Sequence, residues 1–221
     1  MKNNQQLIDS KEVFDRIAPS WYNFRHRSIF RRELEALAKR WQGGRLLNIG
    51  CAHGPDFVPF ASNFDLTGID FSQQMLKLAG KYSHKFGFAA KLLLADARQL
   101  PFADGVFDHA IAVATYHHIP GGKEQPAAFR ELWRVLKPEG EAFITVWNHW
   151  QPRFWRRGRE ITVPWRTGEV TRERYYYLFS YPELARLARQ AGFKVLRTYP
   201  ESTYHFPIKL FSRNICLLVR K

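Results

Sequence analysis

Residues 45–54, Arg-Leu-Leu-Asn-Ile-Gly-Cys-Ala-His-Gly, form a short apolar run that breaks into a turn of small residues. A second apolar run, Leu66-Thr67-Gly68-Ile69, ends on Asp70, 20 positions after Gly50. This pair constrains the fold more than any other feature of the chain. A glycine turn after a strand lets a ligand approach the backbone closely, and an acid at the tip of the next strand accepts the two hydroxyls of a ribose. The turn is Gly50-x-Ala52-x-Gly54, and no Gly-x-x-Gly step follows it for a pyrophosphate. A nucleoside without phosphates fits it better than a dinucleotide does, and S-adenosylmethionine is such a nucleoside.

The rest of the chain repeats the same rhythm. Apolar periodicity predicts helices over 11–18, 28–42, 73–82, 127–136 and 181–191, with a further helix starting near Pro55. Strands are predicted over 45–49, 65–69, 91–95, 107–114, 141–147, 194–197 and 214–220. Gly43-Gly44 and Lys137-Pro138-Glu139-Gly140 read as helix stops, and Ser72 as an N-cap. The alternation implies an α/β fold: a Rossmann-like, seven-stranded, mostly parallel sheet with helices on both faces. Its 221 residues suffice for a single domain spanning 1–221. Residues 148–180 interrupt the rhythm with arginines and aromatics in no clean period, as an insertion forming a cap or a substrate-recognition segment.

Gly50, Asp70 and Asp96 fall at the carboxyl ends of three successive predicted strands, where open α/β sheets bind ligands. Gly50 and Gly54 are assigned to close backbone approach, Asp70 to the ribose, and Asp96-Ala97 to the adenine edge. The order of these pieces, together with Leu100-Pro101-Phe102, Phe107-Asp108 and the segment Arg134 to Gly140, resembles the class I S-adenosylmethionine-dependent methyltransferases. Residues 14–22, Phe-Asp-Arg-Ile-Ala-Pro-Ser-Trp-Tyr, resemble the N-terminal lid of that family, which implies that Tyr22 faces the methionine end of the cofactor. Asn48, Cys51, Phe71 and Val113 complete the cofactor-binding set expected on this resemblance. Two residues depart from the family pattern: it usually carries an acid at the position of Asn48 and a glycine at that of Ala52.

Charge bears on the acceptor. The net formal charge is +14, and residues 149–221 carry 15 Lys or Arg against 5 acids, whereas 1–148 carry 19 against 15. Such asymmetry points to a polyanionic partner, nucleic acid or an anionic membrane surface, with a solvated basic surface as the plainer explanation. Trp150, Phe154, Trp155 and Trp165 alternate with Arg153, Arg156, Arg157, Arg159 and Arg166, residue types that stack bases and bind phosphates in single-stranded RNA. A cap with buried tryptophans and solvated arginines explains the same residues. The pair His117-His118 follows the fourth strand and suits polar lining, a substrate hydrogen bond or a general base.

Val163-Pro164-Trp165, the segment Arg174 to Phe179, Ile17-Ala18-Pro19 and the histidine pair together resemble the tRNA wobble-uridine carboxymethyl methyltransferases. That resemblance implies methylation of a carboxylate on a modified wobble uridine, with Arg25, one of the two histidines and Arg174 lining the acceptor pocket. It also implies the tRNA anticodon loop as partner and a small zinc-ribbon protein as a possible activator. Two other functions fit parts of the chain: a methyltransferase for a quinone precursor or lipid, and a non-catalytic RNA-binding scaffold with a decayed cofactor site. The first leaves the basic C-terminal third unexplained, and the retained Asp70 and Asp96 argue against the second. Two distant cysteines build neither a disulfide framework nor a metal centre. A polar N-terminus and no apolar stretch of membrane-spanning length lead to the expectation of a cytoplasmic protein without membrane association or bound metal.

Overall fold

The computed structural model describes residues 2–221, with side chains from Ser10 onward. Strands β1 (Gly44–Ile49), β2 (Phe64–Asp70), β3 (Lys91–Leu94), β4 (Phe107–Val113) and β5 (Leu136–Trp147) run parallel. A hairpin of β6 (Glu160–Thr167) and β7 (Val170–Tyr177) follows, and then β8 (Lys194–Pro200) and β9 (Asn214–Arg220). The main sheet has the order β3-β2-β1-β4-β5-β9-β8, with β9 antiparallel to both its neighbours. From β1 the chain winds outward one way to β3, then returns to β4 on the other side of β1. That reversal opens a crevice at the carboxyl ends of β1 and β4.

Period-two burial divides the sheet into two cores. Ala110, Ala112, Ile144 and Leu217 point to one face, where they meet Phe129 and Leu132 of α4 (Glu124–Val135) and Leu184 and Leu187 of α5 (Tyr181–Gln190). Their neighbours Ile111, Phe143 and Leu218 point to the other, against Leu34, Leu37 and Trp41 of α2 (Arg31–Trp41). A third cluster joins Phe14, Ile17 and Ala18 of α1 (Lys2–Phe24) to Met75 of α3 (Gln73–Phe86). The spacing of Phe14, Ile17, Ala18 and Trp21 aligns one face of α1. The carboxylate of Asp15 accepts from Ser72 Oγ (2.7 Å) and Gln74 N (3.1 Å), tying α1 to the start of α3.

Several boundaries differ from the sequence expectation. α1 continues to Phe24, past the expected end at residue 18 and through Pro19. The helix expected near Pro55 is a 3-10 helix, Pro55–Phe60, because Pro59 has no N–H to give an α-helical bond. β5 begins at Leu136 instead of Glu141: Leu136 pairs with Phe107 and Glu141 with His109, so Lys137 to Gly140 bulge out of a continuing strand. Gln42, left-handed at φ 64°, closes α2 just before the two glycines expected to do so. Finally, 148–180 contains the β6–β7 hairpin, turned by Gly168 at φ 58°.

Candidate active site at the strand ends

The floor is built by backbone geometry. Gly50 has φ 69°, and a Cβ there would lie 2.4 Å from the Thr115 side chain, so no other residue fits without displacement. Thr115 is held in place by its hydroxyl, which donates to Ile49 O at 2.9 Å. Ala52 occupies the left-handed region at φ 47°, a strain of about 1 kcal/mol for a residue with a Cβ. Its N–H donates to Asp70 Oδ2 at 2.9 Å, while Ser72 N donates to Oδ1 at 2.9 Å. Asp70 thus clamps the two strand-end loops together. Burial pushes its carboxyl up to about 6 even though both backbone bonds favour the ionised form. Under the turn, Asn48 is fully buried, and neither of its amide atoms has a partner among the described residues.

Above this floor is a cavity of about 170 Å³. Gly50, Asp70, Phe71 and Val113 line it together with Arg25, His117, His118 and Arg174. Three distant parts of the chain therefore share one cavity wall. Aromatic rings form the walls: Phe14 meets Phe71 (5.5 Å) and His118 (4.8 Å) edge-on, and Trp21 packs on Trp165 at 5.0 Å. Trp147 stacks on Tyr176 at 4.2 Å.

The backbone fixes the tautomers of the two histidines. His117 Nδ1 accepts from Trp147 N (3.1 Å), which places its proton on Nε2. His118 Nδ1 donates to Tyr175 O (2.9 Å), which leaves a lone pair on Nε2. Burial pushes His118 down to about 3 and His117 well below its usual range, so both are neutral at physiological pH. One is a donor and the other an acceptor.

The two arginines are charged, and neither is in ion-pair contact with a carboxylate among the described residues. Arg174 is buried; it donates to Tyr176 Oη at 2.8 Å and lies 4.9 Å over Trp165, and its Nε has no partner. Arg25 lies 5.2 Å over Trp21, and its Nε is also without a partner. Neither forms an ion pair among the described residues. Desolvation lowers the pKa of both, the signature of cations kept out of water. Asp56, the carboxyl nearest in charge to Arg25, is itself pushed up to about 6 by burial.

Other expected site residues do not reach the cavity. Tyr22 packs against His53 (5.3 Å) and Tyr82 (6.3 Å) and is not among the lining residues; Trp21, one position earlier on α1, lines the cavity. The Cys51 side chain is packed in the core, its N–H donates to Ile69 O and its carbonyl accepts from Gly54 N, so its role is to shape the turn. Gly54, at φ 93°, lies beside Phe57 and Tyr82 and supports the turn from behind. Asp96 and Ala97 also lie outside the cavity lining. Asp96 accepts from Arg98 N (2.8 Å) and from the Arg98 guanidinium, which in turn pairs with Glu124. Against the cost of burial, Arg98 holds the Asp96 carboxyl below its usual range. Sequence reasoning missed Phe14 and Trp21 as lining residues. The helical spacing of Phe14 and Trp21 was the available signal for both.

Comparison with known proteins identifies the architecture. The family described as "Methyltransferase domain" matches residues 47–144, from the middle of β1 into β5. The human protein named "Probable tRNA methyltransferase 9B" is 25% identical over 206 residues, covering 92% of this chain and 41% of its own length. The ubiquinone/menaquinone biosynthesis C-methyltransferase UbiE of Geotalea uraniireducens is 27% identical, covering 89% of this chain and 81% of its own. The chain thus spans about two fifths of the first relative and most of the second. Among solved structures, the 1,6-didemethyltoxoflavin-N1-methyltransferase of Burkholderia thailandensis, crystallised with S-adenosylhomocysteine, superposes with a TM-score of 0.74 at 16% identity, over 99% of this chain and 90% of that one. The matched domain overlaps the strands that build the cavity, and the chain has the fold of, and is similar to, the S-adenosylmethionine-dependent methyltransferases.

Proposed function

We propose that the chain methylates a carboxylate carried by tRNA, on a carboxymethyl-modified wobble uridine. The observation that carries this reading is the pair Arg25 and Arg174, two partly desolvated guanidiniums on the wall of the cavity that form no ion pair among the described residues. A buried charge lacking a partner is costly, and an anionic acceptor removes that cost. The reading is also supported by the human relative's name and by the basic C-terminal third.

The floor fits S-adenosylmethionine: Gly50 admits a ligand, Asp70 stands at the tip of β2, and Asn48 holds two unpartnered amide atoms. Gly50, Asp70, Phe71 and Val113 would hold it. When bound, it supplies a methyl group on a positively charged sulfur. A carboxylate is already ionised at neutral pH, so the protein's task is alignment, not proton removal. Arg174 holds one carboxylate oxygen through its free Nε and Nη edge, and His117 Nε2–H supplies a neutral second donor. One arginine at full strength leaves the attacking oxygen enough electron density; two tight forks would blunt it. His118 offers only a lone pair, so it suits an N–H or O–H of the acceptor, not its anion.

Incubation with labelled S-adenosylmethionine and total tRNA, followed by nucleoside mass analysis before and after mild alkali, tests this. The expected product is an alkali-labile methyl ester. An alkali-stable methyl group overturns the carboxylate assignment. The fuller coverage of the quinone methyltransferase relative favours a second reading, a small acidic acceptor, and label appearing in small molecules but not in tRNA selects it. In the same assay Arg174→Lys should slow transfer by about 10- to 100-fold, because a point charge does not reproduce a two-bond fork worth roughly 1.5–3 kcal/mol. Its affinity for S-adenosylhomocysteine should be that of the wild type. A wild-type rate of transfer removes Arg174 from the acceptor site.

A further inference from the structure

Two loops far apart in sequence, 148–159 and 202–213, are stitched into one surface. Asn148 Nδ2 donates to Leu210 O (2.7 Å) and Ser212 O (2.9 Å), and Gln151 Nε2 donates to Arg213 O (3.3 Å). Asn148 N donates to Arg213 O at 2.9 Å as well. The loops carry Arg153, Arg156, Arg157, Arg159, Lys209 and Arg213 and not one Asp or Glu. Of these cations only Arg159 has an acidic partner among the described residues, Glu183. Between them the tips of large apolar side chains stand in solvent: Trp155 is 56% exposed, Phe206 57% and Ile208 49%.

A surface with free cations and exposed rings needs a partner that alternates charge with flat apolar faces. Single-stranded nucleic acid has that alternation, phosphate then base. We infer that these two loops form a single-stranded RNA platform that holds the nucleotides flanking the target base. This inference rests on the reading of tRNA as the acceptor and extends it to a second loop that the sequence did not point to.

Continuity with the cavity favours RNA over a lipid surface. Trp147 lines the cavity and stacks on Phe154 at 5.7 Å, and the Arg153 guanidinium lies 5.1 Å over the far ring. A chain of aromatic and cationic groups therefore leads from the acceptor pocket onto the loops. A nucleotide inserted in the pocket leaves its neighbours along that path. Five of the six cations are arginine, whose planar fork matches a phosphate and stacks on a base at once.

The test measures binding of the full-length chain to a fluorescent anticodon stem-loop RNA across a salt series, with calorimetry of S-adenosylhomocysteine as control. Replacing Arg153, Arg156 and Arg157 by glutamine, or Lys209 and Arg213 by glutamine, should each weaken binding. Each set should also flatten the salt dependence, by about 0.7 log units for every phosphate that is no longer neutralised. Trp155→Ala with Phe206→Ala should weaken binding at least about fivefold with the salt slope unchanged, since stacking contributes roughly 1–3 kcal/mol per base. Affinity for S-adenosylhomocysteine should stay constant in all three. Unchanged RNA affinity and slope in the 202–213 variant overturns the joint platform. So does loss of binding to phosphatidylglycerol vesicles with RNA affinity intact, which assigns the loops to a membrane. RNA that binds through both loops yet gains no methyl group supports the platform and overturns the acceptor reading instead.

Discussion

At the scale of single residues, the site combines charges that ordinary burial would expel. Arg25 and Arg174 are held on aromatic faces, at 5.2 Å over Trp21 and 4.9 Å over Trp165, and have no carboxylate among the described residues. Cation–aromatic contact offsets part of the desolvation cost without neutralising the charge, so the cation stays available to an incoming anion. Asp70 is the opposite case, a carboxylate whose burial raises its pKa to about 6. If it accepts the ribose hydroxyls, its ionised form is the binding form. Affinity for S-adenosylhomocysteine should then fall as pH drops from 7.5 through 6 to 5, where the protonated carboxyl accepts less well. Asp70→Asn should bind more weakly at pH 7.5, by roughly 1.5–3 kcal/mol, and lose the pH dependence. Calorimetry at the three pH values decides, and a wild type whose affinity does not change with pH would exclude a titrating Asp70 from the site. The histidines add no such step, because burial keeps both neutral over this range.

At the scale of elements, the cavity exists because α1 and the β6–β7 hairpin close over the strand ends. Ser20 is the pin between them: its Oγ accepts from Trp165 Nε1 (2.9 Å) and Thr167 Oγ1 (3.1 Å) while donating to Ile17 O (2.9 Å). Ser20→Ala removes both interelement bonds and slightly favours the helix, so its effect should be local. Hydrogen exchange over 15–24 and 160–167 should accelerate by about two- to tenfold, matching a loss of roughly 0.5–1.5 kcal/mol. Exchange confined to wild-type rates in both segments would mean that the ring packing alone holds the lid. The hairpin was the element least legible in the sequence. In β7 the buried residues are Arg174, Tyr175 and Tyr176, a consecutive run, because Arg174 and Tyr176 line the cavity while the Tyr175 side chain is covered beside Glu160 and the Gly121 backbone. Strand periodicity is lost wherever both faces are covered.

At the scale of the whole molecule, one carboxylate connects the helical layer to the sheet. Glu141, on β5, accepts from Arg40 Nη2 (2.7 Å) and Trp41 Nε1 (2.9 Å) of α2 and from Arg220 Nη2 (2.9 Å) of β9. Hydrogen bonding to Arg40, with Trp41 and Arg220 outweighing burial, holds its carboxyl down to about 2. Its folded-state pKa is below the unfolded value, so its stabilisation is full above the usual carboxylate range and fades as pH falls toward 2. Glu141→Gln should therefore lower unfolding stability at pH 7 by about 1–3 kcal/mol, a figure reduced for the half-exposed arginines. The gap from wild type should narrow at pH 3. Urea melts at the two pH values measure it, and a gap of equal size at both would mean that shape, not charge, is what Glu141 contributes. Among the described residues no helix is long and apolar enough to cross a membrane, and no cluster of His, Cys, Asp and Glu is placed to hold a metal ion.

The main sheet and the placement of Gly50 and Asp70 at its strand ends were determined by sequence alone. Strand and helix periods are local, and the requirement for glycine at Gly50 and for an acid at Asp70 is imposed by backbone within a few residues of each. Cys51, Tyr22 and Asp96 were beyond that reach. Whether a side chain in the turn points to ligand or core depends on Phe57 and Gly68 across the sheet. Which of Trp21 and Tyr22 faces the cavity depends on the rotation of α1, set by Met75 and Trp165. Asp96 is engaged by Arg98 two residues on, and the same guanidinium also bonds Glu124 of α4, a contact that sequence neighbours do not record. The convergence of Arg25, His117, His118 and Arg174 was indicated by resemblance, but only tertiary structure leaves the two guanidiniums without an ion pair among the described residues. Charge compensation is a property of what surrounds a residue in space, and sequence neighbours do not record it.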